Sequence, residues 1–198
     1  MKISLLSTLT LLTLSGVASA APTIWGVNDH AYEVITNAGT QGTYAAAKAA
    51  AAGMSFRGVQ GRLVVLDTSN YTAELNFIGD LIVNTTGRGQ CYWIGGERPA
   101  SSAAATSGWN WVDGSTIPTS ITSTWAIDQN EGSAATTNYS ATLFTDGNYH
   151  QPYDYIQSAT LNFSGGYVVE YGSPVPEPAT MAALGLGIAA LVRHRRKG

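Results

Sequence analysis

The fold is decided by residues 91–115, which read CYWIGGERPASSAAATSGWNWVDGS. An apolar run at residues 92–96 predicts a buried strand, and a loop rich in serine and alanine follows it. Trp109 and Trp111 are two residues apart, so both indoles are expected on one face of a second strand, packed into the core. The Asp113-Gly114 pair is typical of a tight turn with a positive φ angle. We therefore interpret the tryptophans as packing residues.

Two helices with a strand between them are predicted before this stretch. Thr43 is a suitable N-cap for an alanine-rich helix over residues 44–52, with Gly53 as a stop. Residues 61–66 have the pattern of a short buried strand. Ser69 is expected to cap the second helix, which carries an apolar stripe at helical spacing. The main members of the stripe are Tyr71, Leu75, Ile78 and Ile82.

Strands account for most of what remains of the domain. Alternation at residues 23–27 and 30–35 predicts a hairpin near the start. From Gly87 onward the sequence changes to glycine, serine, threonine and aromatic residues with short apolar alternations, which favour loops and strands. Helices first and a loop-rich antiparallel sheet afterwards predict an α+β domain.

The first 20 residues have the layout of a secretory signal peptide. A positive charge at Lys2 precedes an apolar run, and small side chains at residues 18–20 flank a cleavage site before Ala21. Removal of residues 1–20 is expected to expose a single domain over residues 21–173, which is long enough for one sizeable core.

The C-terminal segment, residues 174–198, has a hydrophobic stretch followed by positive charge. Residues 179–192 carry no charge and lead directly into the basic cluster at residues 193–197. These fourteen residues are short for a membrane span, which needs about 17 to 25. Basic residues stay on the cytoplasmic side, so the domain before them is expected outside the inner membrane.

A Pro-Glu-Pro motif precedes that hydrophobic stretch, and the three parts together resemble the PEP-CTERM sorting signal. Its residues are Val175, Pro176, Glu177, Pro178, Ala179 and Thr180. The resemblance implies a Gram-negative bacterium that makes extracellular polysaccharide, processing by a membrane enzyme of the exosortase type, and release or attachment at the cell surface. The alternative is an ordinary single-span anchor with a chance Pro-Glu-Pro.

The order of motifs in the domain resembles the C-type lectin-like domain across residues 24–172. The matching features are a Gly-x-Leu strand at residues 61–63 between two helices, the Trp-Ile-Gly strand at 93–95, the Trp-x-Trp-x-Asp-Gly-Ser segment at 109–115, and a closing strand at 166–171. The resemblance implies two helices plus a loop-rich antiparallel sheet. The disulfide cysteines usual in that family are absent, since Cys91 is the single cysteine of this chain. We interpret Cys91 as a small apolar side chain of the core.

Calcium-dependent sugar binding in that family uses a Glu-Pro-Asn or Gln-Pro-Asp loop with a cis proline, a later glutamate and a Trp-Asn-Asp strand. This chain has Gln129 at the proline position, where a cis bond would cost about 2.5 to 4 kcal/mol. The candidate residues for ligand binding and for a weak calcium site are Asp128, Asn130, Glu131 and Asp154. The alternative is a solvated acidic loop held by Asx turns.

The net charge of the domain limits which partners it can bind. It has twelve Asp and Glu against five Lys and Arg, a formal charge of about −7, which disfavours nucleic acid as a partner. We expect an exported cell-surface or extracellular-matrix binding module that takes a carbohydrate or protein ligand through a long loop at residues 113–160. The alternative is a structural biofilm or matrix protein without a specific small ligand.

Enzymatic activity is not expected. Asp128 and Asp154 could serve as an acid and a base, but no nucleophile elbow, metal motif or phosphate-binding loop accompanies them. His30 and His150 are the two histidines of the domain, and nothing in the sequence around either one indicates a Ser-His-Asp arrangement. One cysteine and two separated histidines are too few for a structural zinc site.

Overall fold

The computed structural model describes residues 21–36, 42–102, 104–127, 138–146, 150–156 and 164–173. These residues form nine strands and three helices. The strands are β1 (Thr23–Trp25), β2 (His30–Thr36), β3 (Ser55–Phe56), β4 (Val59–Leu63), β5 (Gln90–Arg98), β6 (Asn110–Trp111), β7 (Tyr139–Thr145), β8 (His150–Ile156) and β9 (Ser164–Tyr171). The helices are α1 (Tyr44–Gly53), α2 (Tyr71–Thr86) and α3 (Thr119–Thr122).

The strands lie in a mixed, mostly antiparallel sheet whose main path is β1-β2-β9-β5-β7-β8. β9 runs through its centre. The first part of β9 pairs with β5 in parallel, and its last three residues pair with β4 in the antiparallel sense. Every other pairing among the described strands is antiparallel. The α+β class expected from the sequence is confirmed, with one parallel pair added.

Helix α1 begins where the sequence predicts. The Thr43 hydroxyl accepts a hydrogen bond from the Ala46 amide at 3.3 Å, which satisfies one of the free donors of the first turn. Its buried positions are Tyr44, Ala47 and Ala51. The Tyr44 ring meets the Trp93 indole edge to face, with centroids 5.5 Å apart. Small alanine side chains therefore let α1 lie close to one face of the sheet.

Helix α2 has the predicted stripe but a different start. It begins at Tyr71, and its N-cap is Asn70, whose side chain makes no capping bond. The predicted cap, Ser69, instead donates its hydroxyl to the Asp67 carboxylate at 2.8 Å. Serine therefore stabilises the turn before the helix and not the helix end. Three members of the predicted stripe are fully or almost fully buried: Leu75, Ile78 and Ile82.

Tryptophans fill the core, as the sequence predicts. Trp93, Trp109 and Trp111 are each 2% exposed or less. The indole of Trp125 packs between two of them, with centroids 5.0 Å from Trp109 and 6.1 Å from Trp111. Aromatic pairs at such distances add about 0.5 to 1.5 kcal/mol beyond the area they bury. These side chains support the fold and do not form an exposed platform.

Cys91 is half-buried in β5 beside the aromatic residues. Burial raises the pKa of its thiol to about 11, so it stays protonated at neutral pH. This agrees with the packing role expected from the sequence. Residues 1–20, predicted as a signal peptide, and residues 174–198, predicted as a sorting tail, lie outside the described residues. Within the described part of the chain, no helix has the length and apolar character needed to cross a membrane.

Gly165 offers a test of the central parallel pairing. It lies at a shift in register, where Cys91 faces Ser164 and Tyr92 faces Gly166. A Cβ atom on Gly165 would stand 1.8 Å from the backbone oxygen of Cys91. We expect Gly165→Ala to lower the free energy of unfolding by about 3 kcal/mol, because a strand must move to admit the methyl group.

The matched control is Gly26→Ala, since a Cβ atom there meets nothing within 4 Å. It should change the free energy of unfolding by less than about 0.5 kcal/mol. Denaturant unfolding of both variants measures the difference. Equal stability of the two variants would mean that β5 and β9 are not paired as described.

Candidate functional site

Of the four residues predicted to bind ligand or calcium, the structure describes one. Asp128, Asn130 and Glu131 lie outside the described residues. Asp154 lies in β8, opposite Ala141 of β7, and is 6% exposed. Among the described residues, no three His, Cys, Asp or Glu side chains come together in a way that could hold a metal ion.

A cavity of about 470 Å³ lies between α2, α3 and β8, and we call it the polar groove. Its apolar lining consists of Leu75, Ile121 and Pro152, with the ring of Tyr71 beside them. Its other lining side chains carry hydroxyl, amide or imidazole groups. These are Thr72, Ser120, Thr124, His150 and Gln151. The groove thus combines apolar surface with hydrogen-bonding groups, and none of its described lining residues is Asp, Glu, Lys or Arg.

Hydrogen bonds hold the three walls of the polar groove together. The Trp125 indole donates to the Tyr71 hydroxyl at 2.8 Å, which fixes the segment after α3 against α2. The Gln151 side-chain amide donates to the Thr124 carbonyl at 3.3 Å. The Ala126 amide donates to the Pro152 carbonyl at 2.9 Å, so the same segment is also attached to β8.

His150 closes one end of the polar groove. Its ring packs so closely on Gly79 of α2 that a Cβ atom there would lie 2.0 Å from the ring. Its side chain is 8% exposed, and its Nε2 atom lies 3.3 Å from the Asp80 carboxylate. Its Nδ1 atom is buried without a hydrogen-bond partner among the described residues. Glycine at position 79 is therefore what allows the imidazole to reach this position.

A second cavity, of about 410 Å³, lies on the other face of the β7–β8 hairpin. We call it the aromatic groove. Phe144, Tyr153 and Tyr155 line it together with Cys91 and Thr142. The Phe144 and Tyr153 rings meet edge to face with centroids 5.8 Å apart. No charged side chain is among its described lining residues, so it is a mainly apolar cleft.

His30 belongs to a hydrogen-bond network that joins strands of the sheet. The Nδ1 atom of His30 lies 2.6 Å from the Glu170 carboxylate, and Arg62 also donates to this carboxylate at 3.2 Å. Within the described part of the chain, neither His30 nor His150 is hydrogen-bonded to a serine hydroxyl. The arrangement gives no sign of a Ser-His-Asp triad there.

Burial and hydrogen bonding set the ionisation of this network. Burial disfavours the charged form of Glu170, but hydrogen bonds from His30 and Arg62 outweigh it and lower the pKa of its carboxyl. The Glu170 carboxylate in turn raises the pKa of His30. Glu74 of α2 is buried beside the network, and burial raises its pKa despite the hydrogen bonds from the Tyr32 hydroxyl and the Asp67 amide.

Sequence reasoning did not find the polar groove. Six of its nine lining residues fall within the predicted long loop at residues 113–160, so the region was anticipated. The other three, Tyr71, Thr72 and Leu75, belong to α2 and are about 50 to 80 residues away in sequence from the rest. No local sequence motif predicts that a serine, two threonines and a glutamine will come together after folding.

Comparison with known proteins identifies the tail and the fold. The family model described as the PEP-CTERM protein-sorting motif matches residues 174–197. The C-type lectin CEL-I from Cucumaria echinata has a structure similar to this chain, with a TM-score of 0.51, 18% sequence identity, and coverage of 76% of this chain and 96% of that chain. An EPNH mutant of CEL-I has the same TM-score and sequence identity, and the match covers 76% of this chain and 93% of that chain.

A weaker likeness is to EMS16, described as an antagonist of the collagen receptor integrin α2β1, with a TM-score of 0.46, 13% identity, and coverage of 76% of this chain and 95% of that one. A search of curated protein sequences gives no significant match. The C-terminus therefore carries a PEP-CTERM sorting motif, and the domain has the C-type lectin-like fold expected from its sequence.

The His30–Glu170 pair predicts a pH dependence of stability. The pKa of His30 is raised in the folded protein, so its protonated form stabilises the fold fully below the unfolded value of about 6.5. This contribution is lost as the pH rises through the raised pKa. As the pH rises from about 6.5 through the raised pKa of His30, the free energy of unfolding should therefore decrease for the native protein but not for His30→Gln.

Denaturant unfolding of both proteins from pH 5 to about pH 9 measures this difference, which should be largest at the acidic end, where the native His30 is charged. Parallel curves for the two proteins across the whole range would show that protonation of His30 is not coupled to folding.

Proposed function

We propose that this protein is an exported surface or extracellular-matrix binding module, which takes a carbohydrate or protein ligand through residues 113–160. The observation that carries the proposal is the combination of a C-type lectin-like fold with a PEP-CTERM motif at its end. The predicted long loop at residues 113–160 contains α3 and the strands β7 and β8, so it is a loop only in part. The motif supplies a route to the cell surface. A fold alone does not fix a ligand, so the ligand must be argued from the site.

The polar groove supports binding in the proposed region. It lies where residues of α3 and β8 meet α2, and most of its lining comes from residues 113–160. A cavity of this size is within the range of about 300 to 1,000 Å³ that is usual for small-molecule sites. The absence of charged lining residues among those described favours an uncharged group of the ligand over a phosphate or a carboxylate.

We propose that segments at both ends of the chain direct its export. Residues 1–20 would be removed as a signal peptide, and residues 179–192 would hold the protein in the membrane until processing. An exosortase-type enzyme would then act at the motif in residues 174–197. The binding domain would face the outside of the cell throughout.

The second candidate is a structural biofilm or matrix component without a specific ligand. Residues 100–107 consist of alanine, serine and threonine, side chains that offer little recognition chemistry. The similar composition of residues 133–142 does not mark an exposed segment, because residues 139–142 are buried in β7. Binding of the full-length protein to panels of glycans and of matrix proteins separates the two candidates. We expect saturable binding to at least one ligand class. Failure to bind any member of either panel would favour the structural role.

The sorting motif can be tested independently of the ligand. We expect the native protein to reach the cell surface or medium in a form that lacks the basic C-terminal end. A variant with Pro176, Glu177 and Pro178 all replaced by alanine should keep this end and accumulate in the membrane fraction. Immunoblots with one tag inside the domain and one at the C-terminus report both results. Release of the triple variant as efficient as that of the native protein would show that the motif is not needed for processing, and retention of the basic end by both proteins would indicate an ordinary anchor.

The weak calcium site at Asp128, Asn130, Glu131 and Asp154 stays a prediction. Extracellular calcium modules bind with dissociation constants of about 10⁻⁴ to 10⁻³ M, so a large excess of calcium should stabilise such a site by roughly 1 to 3 kcal/mol. Thermal unfolding with calcium and with chelator measures this gain, which should be absent in Asp128→Ala. Identical melting temperatures in the two conditions would favour the solvated loop held by Asx turns.

A further inference from the structure

The polar groove has two kinds of surface at once. Its apolar part comes from Leu75, Ile121 and Pro152, and the Tyr71 ring adds an aromatic side. Its polar part comes mainly from exposed or half-exposed side chains on the three elements, while the His150 side chain is 8% exposed. A ligand that matched it would therefore carry apolar carbon–hydrogen surface together with several hydroxyl groups on one small frame.

Several hydrogen-bonding groups of the groove keep unused capacity within the described structure. Gln151 uses its amide nitrogen on Thr124, and its side-chain oxygen is left to accept another bond. The Tyr71 hydroxyl, by contrast, is already engaged, since it accepts from Trp125 and also hydrogen-bonds the Thr124 side chain. The Thr72 and Ser120 hydroxyls face the same cavity from α2 and α3 without a described partner. The groove therefore offers donors and acceptors that bulk water or a ligand must satisfy.

His150 is the one imidazole among the described lining residues. Its side chain is 8% exposed, and its buried Nδ1 atom has no partner among the described residues. The ring edge that carries this atom lies against Gly79, so the atom does not by itself indicate a ligand in the groove. Gly79 is needed to place the ring there, so the position is a built feature of α2 and β8.

The lining of the groove favours a neutral ligand. None of its described residues is Asp, Glu, Lys or Arg, while the domain as a whole carries a formal charge of about −7. The Asp80 carboxylate pairs with His150 from outside the lining and is 74% exposed. A neutral ligand avoids both the desolvation of a charge and repulsion by the acidic surface.

We propose that the polar groove is a calcium-independent site for a neutral pyranose ring, such as the end of an uncharged oligosaccharide. The apolar lining and the Tyr71 ring would contact the carbon–hydrogen face of the sugar, and Ser120, Thr72 and Gln151 would bind its hydroxyls. This site rests on the proposed function as a binding module, but it is separate from the acidic residues Asp128, Asn130 and Glu131. It predicts that recognition needs the groove and does not need a metal ion.

The test uses the full-length protein in a detergent without a sugar head group, so that the detergent does not compete. Binding to an array of neutral oligosaccharides is measured in the presence of chelator. Ser120→Trp and Thr72→Trp fill the groove from α3 and from α2. Their matched controls are Ala73→Trp, at an exposed position of α2, and Ser123→Trp, at the exposed residue that follows α3. Both control positions lie outside the groove lining.

We expect the strongest glycan signal to persist in chelator and to fall at least about tenfold in both groove variants, a loss of about 1.4 kcal/mol of binding free energy or more. Both controls should stay within about twofold of the native protein. The two groove substitutions are at exposed positions on different helices, so loss in both with a native melting temperature reports a blocked groove and not unfolding.

Other outcomes overturn the inference in distinguishable ways. Equal glycan binding by groove variants and controls would place the sugar elsewhere, and loss of binding in chelator would assign it to a metal site. In both cases the proposed binding function would stand. Binding of a matrix protein but of no neutral glycan would also overturn the sugar site alone. If no ligand of either panel binds, the proposed function fails as well.

Discussion

The carboxylate of Glu170 joins the parts of this fold that are most distant in sequence. It lies in the central strand β9 and is 1% exposed, so its charge must be compensated inside the protein. His30 from β2, Arg62 from β4 and the Val65 amide all donate to it. Removing one of these donors would leave a buried carboxylate with less compensation, which costs more than the hydrogen bond itself. The register of three strands is therefore coupled to one ionised group.

A series of aromatic contacts connects the core to the candidate site. Trp125 packs against Trp109 and Trp111, and its indole nitrogen reaches the Tyr71 hydroxyl on α2. The segment after α3 is thereby fixed between the core and the helix, and its Ala126 amide is bonded to β8. The polar groove has its shape because these contacts hold α3 over α2. The tryptophans thus position the walls of the groove, while their own surfaces remain buried.

Sequence reasoning succeeded where the signal is local. Thr43 caps α1 as predicted, and the stripe of α2 faces the core, because capping geometry and helical spacing are set within a few residues. It failed at the start of α2, where Ser69 binds Asp67 instead, since both capping and Asx-type bonds are open to a serine. The parallel pairing of β5 with β9, the role of Glu170 and the polar groove depend on partners far apart in sequence. The resemblance to a lectin-like fold predicted the architecture, but no spacing rule encodes such contacts.

The contrast between an acidic domain and an uncharged groove bears on selectivity. Charges on the surface act over about 8 to 10 Å at physiological ionic strength, so an anionic polymer that approaches the domain is repelled before it makes contact. A neutral polymer would meet no such barrier, and the proposed site could use the apolar side chains and the hydroxyl groups of the groove. Selection would then arise in two stages, with long-range repulsion excluding anionic chains and short-range hydrogen bonding distinguishing among neutral ones. For a chain whose sorting motif implies a place at the cell surface, the proposed groove would favour uncharged polysaccharides over anionic ones.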